Sequence, residues 1–171
     1  MAKETCCSCG RKVVIHPRDR NYLHKSTEFL CSKECLLHKI KSYKSNEQVI
    51  PDLKYDMSYS LDSNQLTKGY SQILEMSFRS EYEAAVAEFL NSSSIDFLYE
   101  PFCFKFGVFT YTPDFYIKPP YDCFIEVKGV FGIGKKKKLT QFIEAYPNVN
   151  FIFVPWTLRS QFIPDESHSN T

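Results

Sequence analysis

The sequence predicts an α/β fold, preceded by a small cysteine-containing module at the N-terminus. Five of the seven cysteines lie in the first 35 residues, whereas regularly spaced apolar residues begin near Phe78. From there a helix, three or four strands, a second helix and a final strand follow in order. A helical crossover of this kind places the last strand parallel to an earlier one. The chain is therefore divided into a cysteine module (1–48), a linker or extension (49–75), a body (76–160) and a polar tail (161–171).

The first helix of the body has a clear beginning. Ser80 and Glu83 have the spacing of a capping box, in which the serine hydroxyl and the glutamate satisfy each other's backbone amides. Tyr82, Val86 and Leu90 follow at helical spacing and form an apolar stripe. The sequence therefore predicts a helix that starts next to Ser80.

The strands and the second helix follow from apolar runs and from prolines. Strand-like segments occupy 95–99, 102–109, 113–117 and 123–128. A second helix begins near the lysine run 135–138, and Pro147 ends it. The wholly apolar segment 151–154 is typical of a strand buried on both faces.

Charge and composition narrow the class of protein. The net charge is +1, but residues 1–50 hold ten Lys/Arg and five Asp/Glu, whereas the remainder holds eleven and fifteen. This fits a nucleic-acid-facing module joined to an acidic body, although a solvated basic surface gives the same count. The odd cysteine count, without a signal-like or membrane-spanning apolar stretch, argues against a disulfide framework and predicts a soluble, cytoplasmic protein.

The cysteine module has the spacing of a structural zinc site. Cys6 and Cys9 form one close pair and Cys31 and Cys35 a second, and four thiolates in two pairs suit tetrahedral Zn²⁺. Reduced free thiols are the alternative, but so short a module has few other sources of stability. Cys7 is interpreted as a bystander that can replace Cys6 as a ligand.

Asp114, Glu126 and Lys128 are the strongest candidates for catalysis. Strand alternation puts Glu126 and Lys128 on one face of the same strand, with Asp114 at the edge of the preceding strand. Two carboxylates suit Mg²⁺, which prefers oxygen ligands, and a neighbouring lysine can position water or stabilise charge on a phosphate. The alternative is an ordinary surface strand, but the adjoining Pro113 and the apolar flanks favour a metal-dependent nuclease.

Two further glutamates remain ambiguous on spacing alone. Glu83 lies at the edge of the apolar stripe and can point toward the sheet to bind metal, or it can serve only as the capping partner of Ser80. Glu100 can reach a second metal, or it is a solvated carboxylate at a strand end.

Basic side chains near the candidate site are predicted to contact nucleic acid. They are Arg79, Lys135, Lys136, Lys137 and Lys138. Four lysines spread around a helix cannot all face one surface, so some would contact DNA phosphates and the others would be solvated.

Five segments in order carry a family resemblance. They are Phe78-Arg79-Ser80-x-x-Glu83, Ile95-x-Phe97-x-Tyr99-Glu100, Tyr111-Thr112-Pro113-Asp114-Phe115, Ile125-Glu126-x-Lys128-Gly129, and Lys136-Lys137 ahead of Pro147. Over residues 78–155 the chain resembles the PD-(D/E)XK nuclease superfamily, and within it the bacteriophage endonuclease I type that resolves branched DNA. The cysteine module resembles treble-clef zinc modules.

The resemblance implies a restriction-endonuclease-like core, a mixed sheet flanked by helices. It also implies that Glu83, Asp114 and Glu126 hold Mg²⁺ or Mn²⁺ and that Lys128 is the catalytic lysine. The chain departs from the phage resolvases at Leu98, where they carry an acidic residue, and in its added N-terminal module.

The sequence therefore predicts a metal-dependent DNA endonuclease that hydrolyses phosphodiester bonds with a metal-activated water, on branched or nicked DNA. A homodimer in the cytoplasm of a bacterial host fits a phage origin. One alternative is a homing or transposon-end endonuclease with a sequence preference. Another is a non-catalytic nucleic-acid-binding adaptor that uses only the zinc module.

Overall fold

The computed structural model describes residues 3–17, 19, 29–43, 68–127 and 133–163, with the backbone alone for 133–136. Within these ranges the elements are, in chain order, β1 (Lys3–Thr5), β2 (Lys12–Val14), α1 (Lys33–Ser42), β3 (Gly69–Ser71), β4 (Met76–Phe78), α2 (Glu81–Ser92), β5 (Phe97–Tyr99), β6 (Phe104–Phe106), β7 (Phe109–Tyr111), β8 (Phe115–Ile117), β9 (Cys123–Val127), α3 (Ile133–Ala145), β10 (Phe151–Val154), a 3₁₀ turn (Trp156–Leu158) and α4 (Arg159–Phe162).

A four-stranded mixed sheet forms the centre of the body. Its strand order is β10-β9-β8-β5, with β5, β8 and β9 antiparallel and β9 and β10 parallel. The helix α3 supplies the crossover between the two parallel strands, as the sequence predicts. The α/β class of the body is therefore confirmed.

Two apolar clusters cover the two faces of this sheet. Alternate side chains of β9 point to opposite faces. Ile125 and Val127 pack in a cluster with α2 on one face, and Phe124 packs in an aromatic cluster with α3 and β6 on the other. By the same alternation Glu126 lies on the Phe124 face. The sheet therefore turns one carboxylate of its central strand toward the aromatic side.

The segment 102–109, predicted as one strand, is a β-hairpin instead. Strands β6 and β7 pair antiparallel, with Phe106 opposite Phe109, and two residues connect them. Gly107 has φ +57°, which is typical of the first central position in a tight hairpin turn. Only Lys105 and Gly107 interrupt an otherwise apolar run, so alternation alone does not reveal the turn.

Described residues on both sides of the predicted body, 76–160, also pack with it. In the predicted linker, residues 69–71 form a strand paired with β4, and a Cβ on Gly69 would lie 2.4 Å from the Ser80 carbonyl oxygen. In the predicted tail, Phe162 and Ile163 pack against the core. Both segments look polar in sequence because only one or two of their side chains face inward.

The cysteine module shares the hydrophobic core of the body. A hairpin of β1 and β2 precedes α1, and Leu36 and Ile40 of this helix are fully buried in the same cluster as Tyr82 and Leu90 of α2. No helix in the described part of the chain is long and apolar enough to cross a membrane.

Candidate active site and cysteine site

Asp114 and Glu126 come together at one end of the central sheet. The ladder between β8 and β9 pairs Phe115 with Ile125, so the next pair along it is Asp114 and Glu126. The two residues are only 7% and 1% exposed. Carboxylates directly opposite each other repel, and burial removes the water that would screen them. This end of the sheet therefore holds two buried acidic groups that a cation would stabilise.

Backbone contacts fix the position of Asp114. Its Oδ2 accepts a hydrogen bond from the Val127 amide at 2.6 Å, and its carbonyl oxygen accepts one from the Glu100 amide at 2.8 Å. The aspartate is thus tied to β9 on one side and to the residue that follows β5 on the other.

Tyr111 lies near the same pair. Its ring packs against Phe142 with centroids 4.7 Å apart, and its hydroxyl is buried with no hydrogen-bond partner among the described residues. Burial raises the pKa of Tyr111 well above its usual value, and the negative charge of Asp114 raises it further. The phenol therefore stays protonated beside the carboxylates.

Glu83 forms one half of the predicted capping box, and its carboxylate accepts from the Ser80 hydroxyl and the Arg79 amide. Its Oε1 accepts a hydrogen bond from the Ser80 hydroxyl at 2.9 Å, while its amide donates to Ser80 Oγ at 3.2 Å. Its Oε2 accepts from the Tyr99 hydroxyl at 2.6 Å and from the Arg79 amide at 3.2 Å. These contacts orient a buried carboxylate at the start of α2, on the opposite face of the sheet from Phe124.

The Glu83 contact also changes Tyr99. Burial raises the pKa of this phenol above its usual range, and the neighbouring charge of Glu83 raises it further. Because the phenol keeps its proton, it remains a hydrogen-bond donor to Glu83. The pair couples α2 to the end of β5.

Arg79 and Glu100 form an ion pair at the edge of the site, with 3.0 Å between Arg79 Nε and Glu100 Oε1. The arginine side chain is 40% exposed and the glutamate 10%. Glu100 is therefore a mostly buried, paired carboxylate rather than a solvated one, while part of the guanidinium still faces solvent.

The carboxylates do not all converge on one point. Among the described residues, the only group of three or more potential metal ligands whose donor atoms lie within 4.8 Å of one another is the cysteine group. Glu83, Asp114 and Glu126 therefore do not form such a group. Asp114 and Glu126 fit a hard divalent cation as a pair, since both offer oxygen ligands and their buried charges repel.

Lys128 and the lysine run are described only in part. Lys128 lies outside the described residues, so its position next to Glu126 stays a prediction. The run 135–138 lies within α3, where Lys137 is exposed and Lys138 is half-buried. Lys135 and Lys136 belong to the part of α3 whose side chains are not described.

The four predicted cysteine ligands form a tight cluster. Cys6, Cys9, Cys31 and Cys35 place their sulfurs within 4.8 Å of one another, with 3.4 Å between Cys9 and Cys31 and 3.5 Å between Cys31 and Cys35. Sulfurs around a tetrahedral zinc ion would be about 3.8 Å apart, given Zn–S bonds of about 2.3 Å. The cluster can therefore hold a metal ion such as zinc.

Local structure explains why these thiols meet. The first pair lies in the turn between β1 and β2, where the Gly10 amide donates to the Cys6 carbonyl and Gly10 has φ +73°. The second pair begins α1, where Ser32 Oγ accepts from the Cys35 amide. A helix N-terminus favours negative charge, so it stabilises a thiolate there.

The thiols differ in proton affinity. Burial by itself raises the pKa of Cys6, but hydrogen bonds from the backbone amides of Cys9 and Ser8 lower it to about 7. Burial raises the pKa of Cys31 above its usual range, and its thiol contact with Cys9 raises it further. Cys7 is exposed and lies outside the cluster.

The sequence does not reveal how the cysteine module joins the body. The carboxylate of Asp19, 1% exposed, accepts hydrogen bonds from the amides of Trp156 and Thr157, each at 2.8 Å, and from the Thr157 hydroxyl. Asp19 lies in a basic stretch that suggests a solvated loop. Its partners are 137 and 138 residues away, so no local pattern marks it.

Comparison with known proteins gives one match. The family model of phage endonuclease I matches residues 51–168, more than half of the chain. The matched segment contains Asp114, Glu126 and Lys128 but not the cysteine cluster. No curated protein and no solved structure matches the chain significantly.

Proposed function

Because the chain belongs to the phage endonuclease I family, we propose that it is a divalent-metal-dependent endonuclease acting on DNA. One observation supports the metal-dependent site most strongly. Asp114 and Glu126 are buried opposite each other at a sheet end, within the segment that defines the family. A divalent cation between two such carboxylates would offset the repulsion of their charges.

Asp114 and Glu126 are the proposed ligands for Mg²⁺ or Mn²⁺, and Lys128 follows Glu126 by two positions in the sequence and is proposed to share its strand face. When bound, the metal polarises a phosphate oxygen and increases the acidity of water. Lys128 orients the water or stabilises charge on the phosphate. Water adds to phosphorus and the bond to the 3′ oxygen breaks, leaving a 5′-phosphate and a 3′-hydroxyl.

Glu83 is proposed to be a third acidic group of the metal site, positioned at the start of α2. Its carboxylate does not group with the other two in the structure. In this proposal its hydrogen bonds to Ser80 and Tyr99 therefore rearrange when DNA and metal are both present, so that it contributes to metal binding. Glu100 is proposed to orient Arg79, through their ion pair, toward a DNA phosphate.

The core of the body is proposed to be restriction-endonuclease-like, of the PD-(D/E)XK type. The mixed sheet, with parallel β9 and β10 joined by α3, supports this assignment. The cysteine cluster is proposed to hold one structural Zn²⁺, and the exposed lysines of α3 to contact DNA phosphates. A homodimer on branched DNA is the expected assembly, which size-exclusion chromatography with light scattering checks.

A nicking assay tests the site. Supercoiled plasmid and Mg²⁺ are incubated with the wild type, Asp114→Asn and Glu126→Gln. Each variant should lose at least about 100-fold in rate, because the charge stabilisation supplied by a bound metal is worth several kcal/mol. Cleavage of a four-way junction, compared with a linear duplex of the same sequence, tests the preference for branched DNA.

Asp122→Asn is the matched control. Asp122 is also a buried carboxylate, 5% exposed, and it accepts a hydrogen bond from the Tyr116 hydroxyl at the other end of the same strands. Its φ of +42° is one that asparagine tolerates. This variant should lose stability but keep the nicking rate. Equal rates for the wild type, Asp114→Asn and Glu126→Gln would refute the site assignment.

A further inference from the structure

A pocket lies between the cysteine module and the segment that follows β10. Its volume is about 520 Å³, within the range of small-ligand sites. One wall carries Val14, Ile15 and His16, and the other carries Trp156, Arg159 and Ser160. The rings of His16 and Trp156 are 6.4 Å apart. A planar ring with an attached anionic group would complement this mixture of apolar, aromatic and cationic side chains.

The floor of the pocket is rigid. The His16 amide donates to Thr157 Oγ1 at 2.9 Å, which joins the end of β2 to the 3₁₀ turn. Asp19 accepts hydrogen bonds from the amides of Trp156 and Thr157. The backbone beneath the indole is therefore fixed before any ligand arrives, which reduces the entropic cost of binding.

Cationic side chains flank the pocket on both sides. On the hairpin, Lys3 pairs directly with the pocket residue Val14, so both point to the same face, and Lys3 is exposed. On the opposite wall the guanidinium of Arg159 lies 5.1 Å from the centre of the Trp156 ring. Arg159 also contacts Glu81 at 3.8 Å, but the glutamate side chain is 69% exposed, so this ion pair is weak.

The pocket lies at the same end of the sheet as the candidate active site. Phe153 of β10 pairs with Glu126, and Trp156 follows three residues later. Chain geometry and strand spacing place the Cα of Trp156 within about 16 Å of the Cα of Glu126. That distance corresponds to roughly five base steps of duplex DNA. One DNA molecule can therefore reach both places.

We propose that this pocket binds a nucleotide of the DNA substrate outside the scissile position, with its base against Trp156 and its phosphate against Arg159. The choice of a nucleotide as the ligand rests on the proposed function, because an endonuclease that binds DNA brings nucleotides to its own surface. Base–aromatic stacking tolerates any sequence, so the pocket would recognise an unpaired base rather than a sequence. A nick or a branch point interrupts stacking, so a base next to it unpairs at a lower cost than a base inside a continuous duplex.

The fluorescence of Trp156 tests the proposal, since it is the one tryptophan of the chain. The zinc-loaded Asp114→Asn protein, which should bind without cutting, is titrated with a labelled four-way junction and with a short oligothymidylate. Indole emission and its quenching by acrylamide are followed together with the anisotropy of the label. We expect both DNAs to change the emission and to protect the indole from acrylamide.

Two charge variants locate the contact. Ser160→Glu places a negative charge at the rim of the pocket and should weaken oligothymidylate binding about five- to 150-fold, the equivalent of one lost stacked base. Gln72→Glu adds the same charge at an exposed position in the β3–β4 turn, which lines no part of the pocket, and it should bind as the parent does. Trp156→Phe should retain most of the affinity and Trp156→Leu should not.

The outcomes separate this proposal from the proposed function. DNA that binds by anisotropy but leaves the emission and the acrylamide quenching unchanged overturns the pocket and leaves the endonuclease intact. An equal effect of heparin, a polyanion without bases, on indole emission overturns the base contact. Absence of both DNA binding and nicking overturns the endonuclease together with the pocket.

Discussion

Replacing Asp19 with alanine should loosen the attachment of the cysteine module to the body. The carboxylate is 1% exposed and accepts two backbone amide hydrogen bonds at 2.8 Å and one from the Thr157 hydroxyl. Alanine removes every acceptor at once. The amides of Trp156 and Thr157 then lose their partner within a part-buried region.

The size of the effect follows from these contacts. Each buried donor left without an acceptor costs about 1–3 kcal/mol, and two amides and one hydroxyl lose their acceptor here. The free energy of unfolding should therefore fall by about 3–5 kcal/mol. For a chain of this length that lowers the melting temperature by about 6–20 °C. Asp19→Asn, which retains one acceptor, should cost about half as much.

Urea unfolding followed by circular dichroism and by Trp156 emission measures the change. Asp96→Ala is the control, because Asp96 is an exposed aspartate, and its loss should change stability by less than about 0.5 kcal/mol. Equal stability of Asp19→Ala and Asp96→Ala would refute the role of Asp19 in this attachment. This role is also refuted if Asp19→Ala unfolds at the normal midpoint while zinc remains bound.

Three further changes have defined outcomes. Chelation of zinc, or Cys31→Ser, should destabilise the whole chain by more than about 4 kcal/mol, whereas Cys7→Ser should retain one zinc per chain by elemental analysis. Glu83→Gln should lower the free energy of unfolding by about 1.5–3 kcal/mol, because charged hydrogen bonds to Ser80 and Tyr99 are lost. If Glu83→Gln lowers the nicking rate far more than Ser80→Ala does, Glu83 is identified as a metal ligand. Tyr111→Phe should leave thermal stability unchanged or raise it by about 1 kcal/mol, because the hydroxyl has no hydrogen-bond partner among the described residues; a lower melting temperature would contradict this.

Local patterns predicted much of the fold. The Ser80 and Glu83 spacing predicted the start of α2, and the bond from the Glu83 amide to Ser80 Oγ is present, together with one from the Ser80 hydroxyl to the Glu83 carboxylate. The apolar run 151–154 indicated a buried strand, and the crossover indicated that it runs parallel to an earlier strand, which the structure identifies as β9. The helix start and the buried strand depend on neighbours within a few residues, and the parallel pairing follows from the order of the elements, so the linear sequence contains the information.

Contacts between distant residues could not be predicted in the same way. The pairing of Asp114 with Glu126 depends on strand register, which the assignment of two strands does not fix. The separation of Glu83 from that pair depends on which face of the sheet α2 covers. The cysteine cluster was predictable because the four ligands of one metal ion come in two pairs that are close in sequence. This spacing can be recognised without knowing the conformation of the loop between the pairs.

The hydrophobic core that α1 shares with α2 affects how the N-terminal region can be studied. Deleting the first 43 residues would strip Leu36 and Ile40 away from Tyr82 and uncover an apolar surface on the remaining chain. Such a fragment would tend to aggregate, so its inactivity would say nothing about DNA recognition. The contribution of this region has to be measured with single substitutions in the intact polypeptide.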